Sequence, residues 1–132
     1  MKKKGCRTER ELVHLFWDNG WSASRVAGSG STTIPAPDII AGKSGRVLVI
    51  ECKARKESTA YLTKKEVEEL TLFANILGAE PWIGVRFNNT EWRFIETSKT
   101  KLSRGDNHVI TLDEATKEGL TFKDLTLGGQ KW

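Results

Sequence analysis

Three residues in the middle of the chain have the types and spacing of a site that binds a divalent cation. Asp38 follows the rigid Pro37, and Glu51 and Lys53 end an apolar run that begins at Val47. Carboxylates, waters and phosphate oxygens are the ligands that Mg²⁺ prefers. A cation held there can polarise a phosphodiester and lower the pKa of a bound water, and a nearby lysine can offset transition-state charge. These residues indicate metal-assisted phosphodiester hydrolysis; the alternative is an ordinary strand end with a solvated ion pair.

The spacing of these residues predicts that a β-hairpin brings them to one end of a sheet. The stretch from Arg46 to Cys52 is rich in Val, Leu and Ile and apolar on both faces, which is typical of a central strand. A Lys-Ser-Gly turn precedes it, so Asp38 lies near the first arm of the hairpin. Alternate side chains of a strand share a face, so Glu51 and Lys53 point the same way. If the two arms pair, two carboxylates and an ammonium converge.

A third carboxylate is predicted on the first helix, which has amphipathic spacing. Glu9 precedes Leu12, Val13 and Phe16 by three, four and seven residues, so it lies on the apolar face. Glutamate is seldom buried unless it is paired, and a bound cation would pair it. The alternative is a first-turn glutamate favoured by the helix dipole.

Helices and strands alternate along the chain. The first helix begins at a capping box of Thr8 and Glu11, or nearer Cys6, and ends at Gly20. A strand at 21–27 follows, and later a polar connection ARKESTAY. The second helix has a capping box at Thr63 and Glu66 and a C-cap at Gly78. The remaining elements are paired strands in PWIGVRF and EWRFIE, a strand around HVIT and a short helix from Asp113. This order predicts an α/β fold with a mixed central β-sheet flanked by helices.

Length and composition predict one globular domain over residues 1–132. The chain has 38% apolar and 29% charged residues and a net charge of +4, which permits a polyanionic partner such as nucleic acid. Two cysteines are too few for a disulfide framework, and no apolar run is long enough to span a membrane. The basic start is not followed by the apolar stretch of a signal peptide. We therefore expect a cytoplasmic protein without membrane contact.

Small residues, hydroxyls and prolines gather between the first strand and the proposed site. The stretch AGSGSTTIPAP has the composition of a mobile loop, placed at about 28–37. Ser29 and Ser31 lie in it.

Five motifs follow one another in an order that is more specific than any one of them. They are GCRTERELV, VAGSGS, PAPDIIAGKSGRVLVIECKARK, YLTKKEVEEL and a strand pair ending in WRFIE. This order resembles the archaeal-type Holliday junction resolvases of the PD-(D/E)xK nuclease superfamily, over the chain up to about Glu96. The resemblance implies a restriction-endonuclease-like nuclease fold. It also implies a homodimer that binds four-way DNA junctions and uses Mg²⁺ to make paired nicks in recombination and repair.

The resemblance assigns roles to individual residues. Asp38 and Glu51 match the metal-binding acids, Lys53 the catalytic lysine, and Glu9 the helix glutamate, which we predict as a third metal ligand. Ser29 matches a serine placed near the scissile phosphate. The catalytic set is therefore Glu9, Ser29, Asp38, Glu51 and Lys53. Glu66 stands where related sequences often have Gln, so its role beyond the capping box is open.

Several polar and basic residues flank the predicted site and are predicted to contact DNA. They are Arg10, Arg25, Ser31, Lys53, Arg55, Lys56, Tyr61 and Lys64. Recognition would be by junction shape and backbone charge, and binding should weaken as salt rises. For any single lysine, a solvated surface position is the alternative.

The second predicted helix carries more apolar residues than one buried face needs. Leu70, Phe73 and Leu77 are predicted to cover the sheet, and Leu72 and Ile76 to lie to one side. A wide core stripe is one interpretation; a dimer surface, joined by Trp82 and Trp92, is the other.

Three functions fit these observations. The first is junction resolution by a homodimer, with replication or recombination proteins as further partners. The second is another nuclease of the same superfamily that acts on linear or damaged duplex DNA. The third is a non-catalytic DNA-binding module, which the presence of all the acids and the lysine disfavours.

Overall fold

The computed structural model of the chain describes residues 3–26, 34–102 and 107–128. The helices are α1 (Lys3–Asp18), α2 (Lys64–Leu77), α3 (Leu112–Glu118) and α4 (Phe122–Thr126). The strands are β1 (Ser22–Arg25), β2 (Ile39–Lys43), β3 (Arg46–Arg55), β4 (Thr59–Thr63), β5 (Glu80–Phe87), β6 (Arg93–Glu96), β7 (Lys101–Leu102) and β8 (Asn107–Thr111). Within these ranges the helices are too short or too polar to cross a membrane.

The predicted mixed sheet is confirmed. Five strands pair in the order β1-β2-β3-β5-β6. The β3–β5 pair is parallel and the other pairs are antiparallel. A second, three-stranded sheet has the order β4-β8-β7. The apolar strand β3 therefore lies at the centre of the larger sheet, as its two apolar faces predicted.

The two faces of β3 belong to two separate cores. Leu48 and Ile50 pack in a cluster with Leu12 and Phe16 of α1. Val49 packs in the other cluster. That cluster also contains residues of α2, β4 and β5, namely Val67, Leu70, Ala74, Leu62 and Val85. Because side chains alternate along a strand, this division decides which helix each polar residue farther along β3 faces.

Of the two predicted starts of the first helix, the one nearer Cys6 is closer to the structure, and one other predicted boundary is wrong. The first helix begins at Lys3, so Thr8 lies within it and is buried, and the capping box of Thr8 and Glu11 does not open the helix. The segment ARKESTAY is not a loop, because β3 continues to Arg55 and β4 begins at Thr59. The parallel pairing of β3 with β5 extends through Arg55, and this backbone pairing outweighs the polar composition of the segment.

The second helix has the predicted ends. Thr63 and Glu66 form a reciprocal capping box, and Gly78 ends the helix with φ 82°, a left-handed conformation that favours glycine. The prediction that Leu77 covers the sheet is wrong, since this last residue of α2 is 50% exposed. Trp82 and Trp92 were predicted at a dimer surface, but both are buried in the α1-side core.

Gly84→Ala is expected to destabilise the protein by about 1–3 kcal/mol, because the centre of the sheet is closely packed. A Cβ at Gly84 in β5 would lie 3.2 Å from Cε1 of Phe94 and 3.3 Å from Cγ2 of Ile50, which are both fully buried. Gly42→Ala in β2 is the control, because its Cβ would meet its nearest atom at 3.4 Å. Urea unfolding followed by tryptophan fluorescence compares the two. Equal midpoints would contradict the close packing at Gly84.

Candidate active site

The β2–β3 hairpin places Asp38 beside the polar end of β3. Ile39 pairs with Ile50, and the connecting turn uses positive φ at Ser44 and Gly45. The backbone N–H of Asp38 donates to the carbonyl of Ile50 at 3.0 Å. Its carboxylate Oδ2 accepts a hydrogen bond from the backbone N–H of Cys52 at 2.9 Å. The predicted hairpin is therefore confirmed, and the Asp38 carboxylate is bonded to the strand that carries the other polar residues.

Glu51 and Lys53 lie on the α2 face of β3. They share this face with Val49, which belongs to the α2-side core, whereas Cys52 packs against the α1-side core. The Nζ of Lys53 donates to Oε2 of Glu66 at 3.0 Å. Glu66 is the third residue of α2, so this bond ties the end of β3 to the start of that helix.

The Glu51 carboxyl is in an environment that disfavours its charge. Burial, and then the nearby charge of Asp38, raise its pKa to about 8, while Lys53 acts in the opposite direction. A carboxyl whose charge is so poorly compensated is a favourable place for a cation.

Glu9 approaches the same end of the sheet from α1. Its carboxylate Oε1 accepts a hydrogen bond from Nε of Arg25 in β1 at 3.1 Å. Burial and the charge of Asp38 raise the pKa of Glu9, and Arg25 partly offsets them. The charge of Asp38 thus raises the pKa of both Glu9 and Glu51, and the charge of Glu9 also raises that of Glu51.

The donor set of the site fits a hard divalent cation held by few protein ligands. Within the described ranges, no three His, Cys, Asp or Glu side chains are grouped closely enough to hold a metal ion by themselves. Mg²⁺ does not need such a cage, since one or two carboxylates, waters and substrate phosphates suffice. Asp38 and Glu51 supply two carboxylates beside one strand end. Glu9 as a third ligand stays a prediction, since its carboxylate is bonded to Arg25.

The predicted DNA-contacting residues differ in exposure. Arg10, Lys56, Tyr61 and Lys64 are exposed, whereas Arg25, Lys53 and Arg55 are half-buried. Ser29, Ser31 and most of the predicted mobile loop at 28–37 lie outside the described residues. The exposed residues follow β3, lie on β4 or begin α2, except for Arg10 on α1. Lys56, Tyr61 and Lys64 therefore lie close to the polar end of β3.

Two contacts of the site were not predicted from the sequence. Arg25 was predicted to contact DNA, but it also pairs with Glu9. Glu66 was predicted only to cap α2, but it also binds Lys53. The capping-box pattern predicts that one oxygen of Glu66 bonds to Thr63. No local pattern predicts that the other oxygen bonds to Lys53.

The chain is similar to known proteins along nearly its whole length. A family model described as archaeal Holliday junction resolvase matches residues 1–131, well past Glu96, where the sequence motifs become sparse. Crossover junction endodeoxyribonuclease Hjc of Archaeoglobus fulgidus is 47% identical over 94 residues, 71% of this chain and 69% of that protein. The Methanocaldococcus jannaschii protein of the same name is 36% identical over 115 residues, 87% of this chain and 80% of that protein. The solved structure of Archaeoglobus fulgidus Hjc, titled a Holliday junction resolvase, matches with a TM-score of 0.84 and 37% identity, over 91% of this chain and 96% of that one.

Proposed function

Because the chain belongs to the archaeal Holliday junction resolvase family, we propose that it is a crossover junction endodeoxyribonuclease that resolves four-way DNA junctions. Nuclease chemistry of this class generally uses a bound metal ion, and we propose Mg²⁺ as that ion. The observation that carries the proposal is the poorly compensated Glu51 carboxyl beside Asp38 and Lys53, in a chain related to named junction nucleases. Since the substrate is DNA, we expect the enzyme to act in the cytoplasm.

The proposed roles follow from the positions of the side chains. Asp38 and Glu51 would hold the cation, together with waters and a phosphate oxygen, and Glu9 would support them from α1. When bound, the cation would neutralise phosphate charge and lower the pKa of a bound water. Lys53 keeps its ammonium beside the carboxylates, where it can donate to the attacking water or to a phosphate oxygen. The role of Ser29, which lies outside the described residues, rests on the family resemblance alone, and we propose that it acts near the scissile phosphate.

We propose in-line attack by water that leaves 5′-phosphate and 3′-hydroxyl ends. A single nuclease domain over residues 1–132 would carry one such site, so symmetric cutting of two opposed strands requires two chains. The exposed apolar side chains of α2 support a two-fold dimer, since Leu72, Ile76 and Leu77 are 50%, 80% and 50% exposed.

Cleavage of a synthetic immobile four-way junction tests the function. A linear duplex built from the same arms serves as the control substrate, and each is incubated with Mg²⁺ or with chelator. Paired, symmetric nicks in the junction alone, lost with chelator, are the expected result. Equal cutting of the duplex would indicate a general nuclease instead of a junction resolvase. Tight junction binding without cutting under any metal would indicate a non-catalytic DNA-binding module.

Lys64→Gln is expected to weaken junction binding and to reduce the slope of log K against log salt by about 0.9 for each phosphate that the protein no longer neutralises. Lys64 is exposed at the start of α2, beside the proposed site. Lys43→Gln is the matched control, because Lys43 is exposed at the β2–β3 turn, at the opposite end of the hairpin from Asp38. Fluorescence anisotropy with labelled junction, at several salt concentrations and with chelator, gives both slopes. Identical slopes for the two variants would remove Lys64 from the DNA-binding surface.

A further inference from the structure

The carboxylate of Glu66 has both of its oxygens engaged, each by a different part of the fold. Oε1 accepts the backbone N–H of Thr63 at 2.8 Å, and the hydroxyl of Thr63 accepts the backbone N–H of Glu66 at 3.0 Å. Oε2 accepts Nζ of Lys53 at 3.0 Å. The capping box therefore holds the side chain of Glu66 in one conformation, and that conformation presents its second oxygen to Lys53.

Lys53 has a flexible side chain, but its proposed role requires its ammonium group to be held in one position. Its side chain is 15% exposed, and that of Glu66 is 34% exposed, so the pair is partly shielded from water. A free lysine side chain loses rotamer entropy when it is fixed in one conformation. If the ion pair with Glu66 forms before substrate binds, the lysine side chain is already ordered and loses no further rotamer entropy when the reaction begins. The ammonium has three donors, and one bond to Glu66 leaves two for a water and a phosphate oxygen.

We propose that Glu66 is a positioning residue, which holds the ammonium of Lys53 in its working place at the cleavage site. The inference rests on the proposed function, because it gives Glu66 a part in the same reaction. Glu66 does not touch the substrate in this proposal; it acts through Lys53 alone. Its role thus extends beyond capping α2.

A second capping box in the chain separates the two roles of Glu66. Thr111 and Glu114 open α3 with the same reciprocal hydrogen bonds. Within the described ranges, Glu114 forms no ion pair with a lysine or arginine. Glu114→Ala therefore removes a capping glutamate without touching Lys53, and it is the matched control for Glu66→Ala.

Single-turnover cleavage with enzyme in excess separates chemistry from binding. Glu66→Ala is expected to lower the rate constant by about 10- to 100-fold, the scale of a misplaced catalytic group, with the junction Kd in chelator unchanged. Glu114→Ala is expected to cut at the wild-type rate. Glu66→Gln should cut at an intermediate rate, because Lys53 and Thr63 donate to different oxygens of Glu66, and the amide nitrogen that replaces one of these oxygens cannot accept a hydrogen bond.

Two further measurements show whether Glu66 acts through Lys53. In a Lys53→Met background, Glu66→Ala is expected to cause no additional loss of rate, because the group it positions is gone. In metal-free protein, acetylation by a water-soluble succinimidyl ester, followed by mass spectrometry, should label Lys53 faster in Glu66→Ala than in wild type or Glu114→Ala. Lys65, with a side chain that is 81% exposed, is the internal reference.

The outcomes are distinct. If wild type cuts junctions and Glu66→Ala cuts them equally fast, the positioning role is overturned and the proposed function stands. The same conclusion follows if Glu66→Ala lowers the cleavage rate constant in the Lys53→Met background as much as it does in wild type. Equal losses in Glu66→Ala and Glu114→Ala would assign the effect to helix capping and also overturn the role. If wild type cuts no junction under any metal, the proposed function fails and this role fails with it.

Discussion

Asp38→Asn is expected to lower the rate of junction cleavage by about 10³-fold or more, because a bound cation supplies several kcal/mol of transition-state stabilisation. Asparagine keeps an oxygen that can accept the backbone N–H of Cys52, so the hairpin should stay intact. It lacks the negative charge that would hold the cation. Junction binding in chelator should be retained or tightened, since a negative charge near phosphates has been removed.

The measurement is single-turnover cleavage of the immobile junction in Mg²⁺, beside anisotropy with labelled junction in chelator. Asp18→Asn is the matched control, because Asp18 is exposed at the last residue of α1. It should cut and bind as wild type does. An Asp38→Asn enzyme that still makes paired nicks would disprove the proposed metal site.

Glu51→Gln is expected to stabilise the metal-free protein at pH 7 by about 2–3 kcal/mol while abolishing cleavage. Burial and the charge of Asp38 raise the pKa of Glu51 to about 8, from an ordinary value of 4.5. Between these two values the folded protein holds a proton that the unfolded chain has released. The free energy of unfolding of wild type should therefore fall as pH rises from about 4.5 to about 8.

Glutamine carries no titrating charge, so this part of the pH dependence should disappear in Glu51→Gln. Urea unfolding in chelator at pH 5, 7 and 8.5 would show a difference between the two proteins that grows with pH. Glu91→Gln, at an exposed position, is the control and should follow wild type at every pH. A difference that stays constant with pH would mean that Glu51 is ionised normally in the folded protein.

Local patterns were sufficient to predict the hairpin and the helix ends near the site. A turn, an apolar strand and the capping box of Thr63 and Glu66 involve residues close together in the chain, so their conformations depend little on the remaining fold. The same approach left two starts open for the first helix, which begins at Lys3 and not at Thr8. It was wrong for ARKESTAY, since the pairing with β5 is not visible in a local window.

Contacts between distant elements could not be predicted in this way. Lys53 and Glu66 are separated by a whole strand, and their bond depends on how α2 packs over the end of β3. The pairing of Glu9 with Arg25 depends on how α1 packs against β1. Both contacts concern charged groups, whose partners are chosen by tertiary proximity rather than by sequence spacing.

Residue type and strand periodicity are local properties, so they were enough to identify Asp38, Glu51 and Lys53 as candidates and to predict the elements that carry them. Three features depend on how the elements pack: the poorly compensated charge of Glu51, the bond of Glu9 to Arg25, and the bond of Lys53 to Glu66. Burial and electrostatic interaction act over a few ångströms of space. The residues that meet at such distances come from α1, β3 and α2, which folding alone brings together.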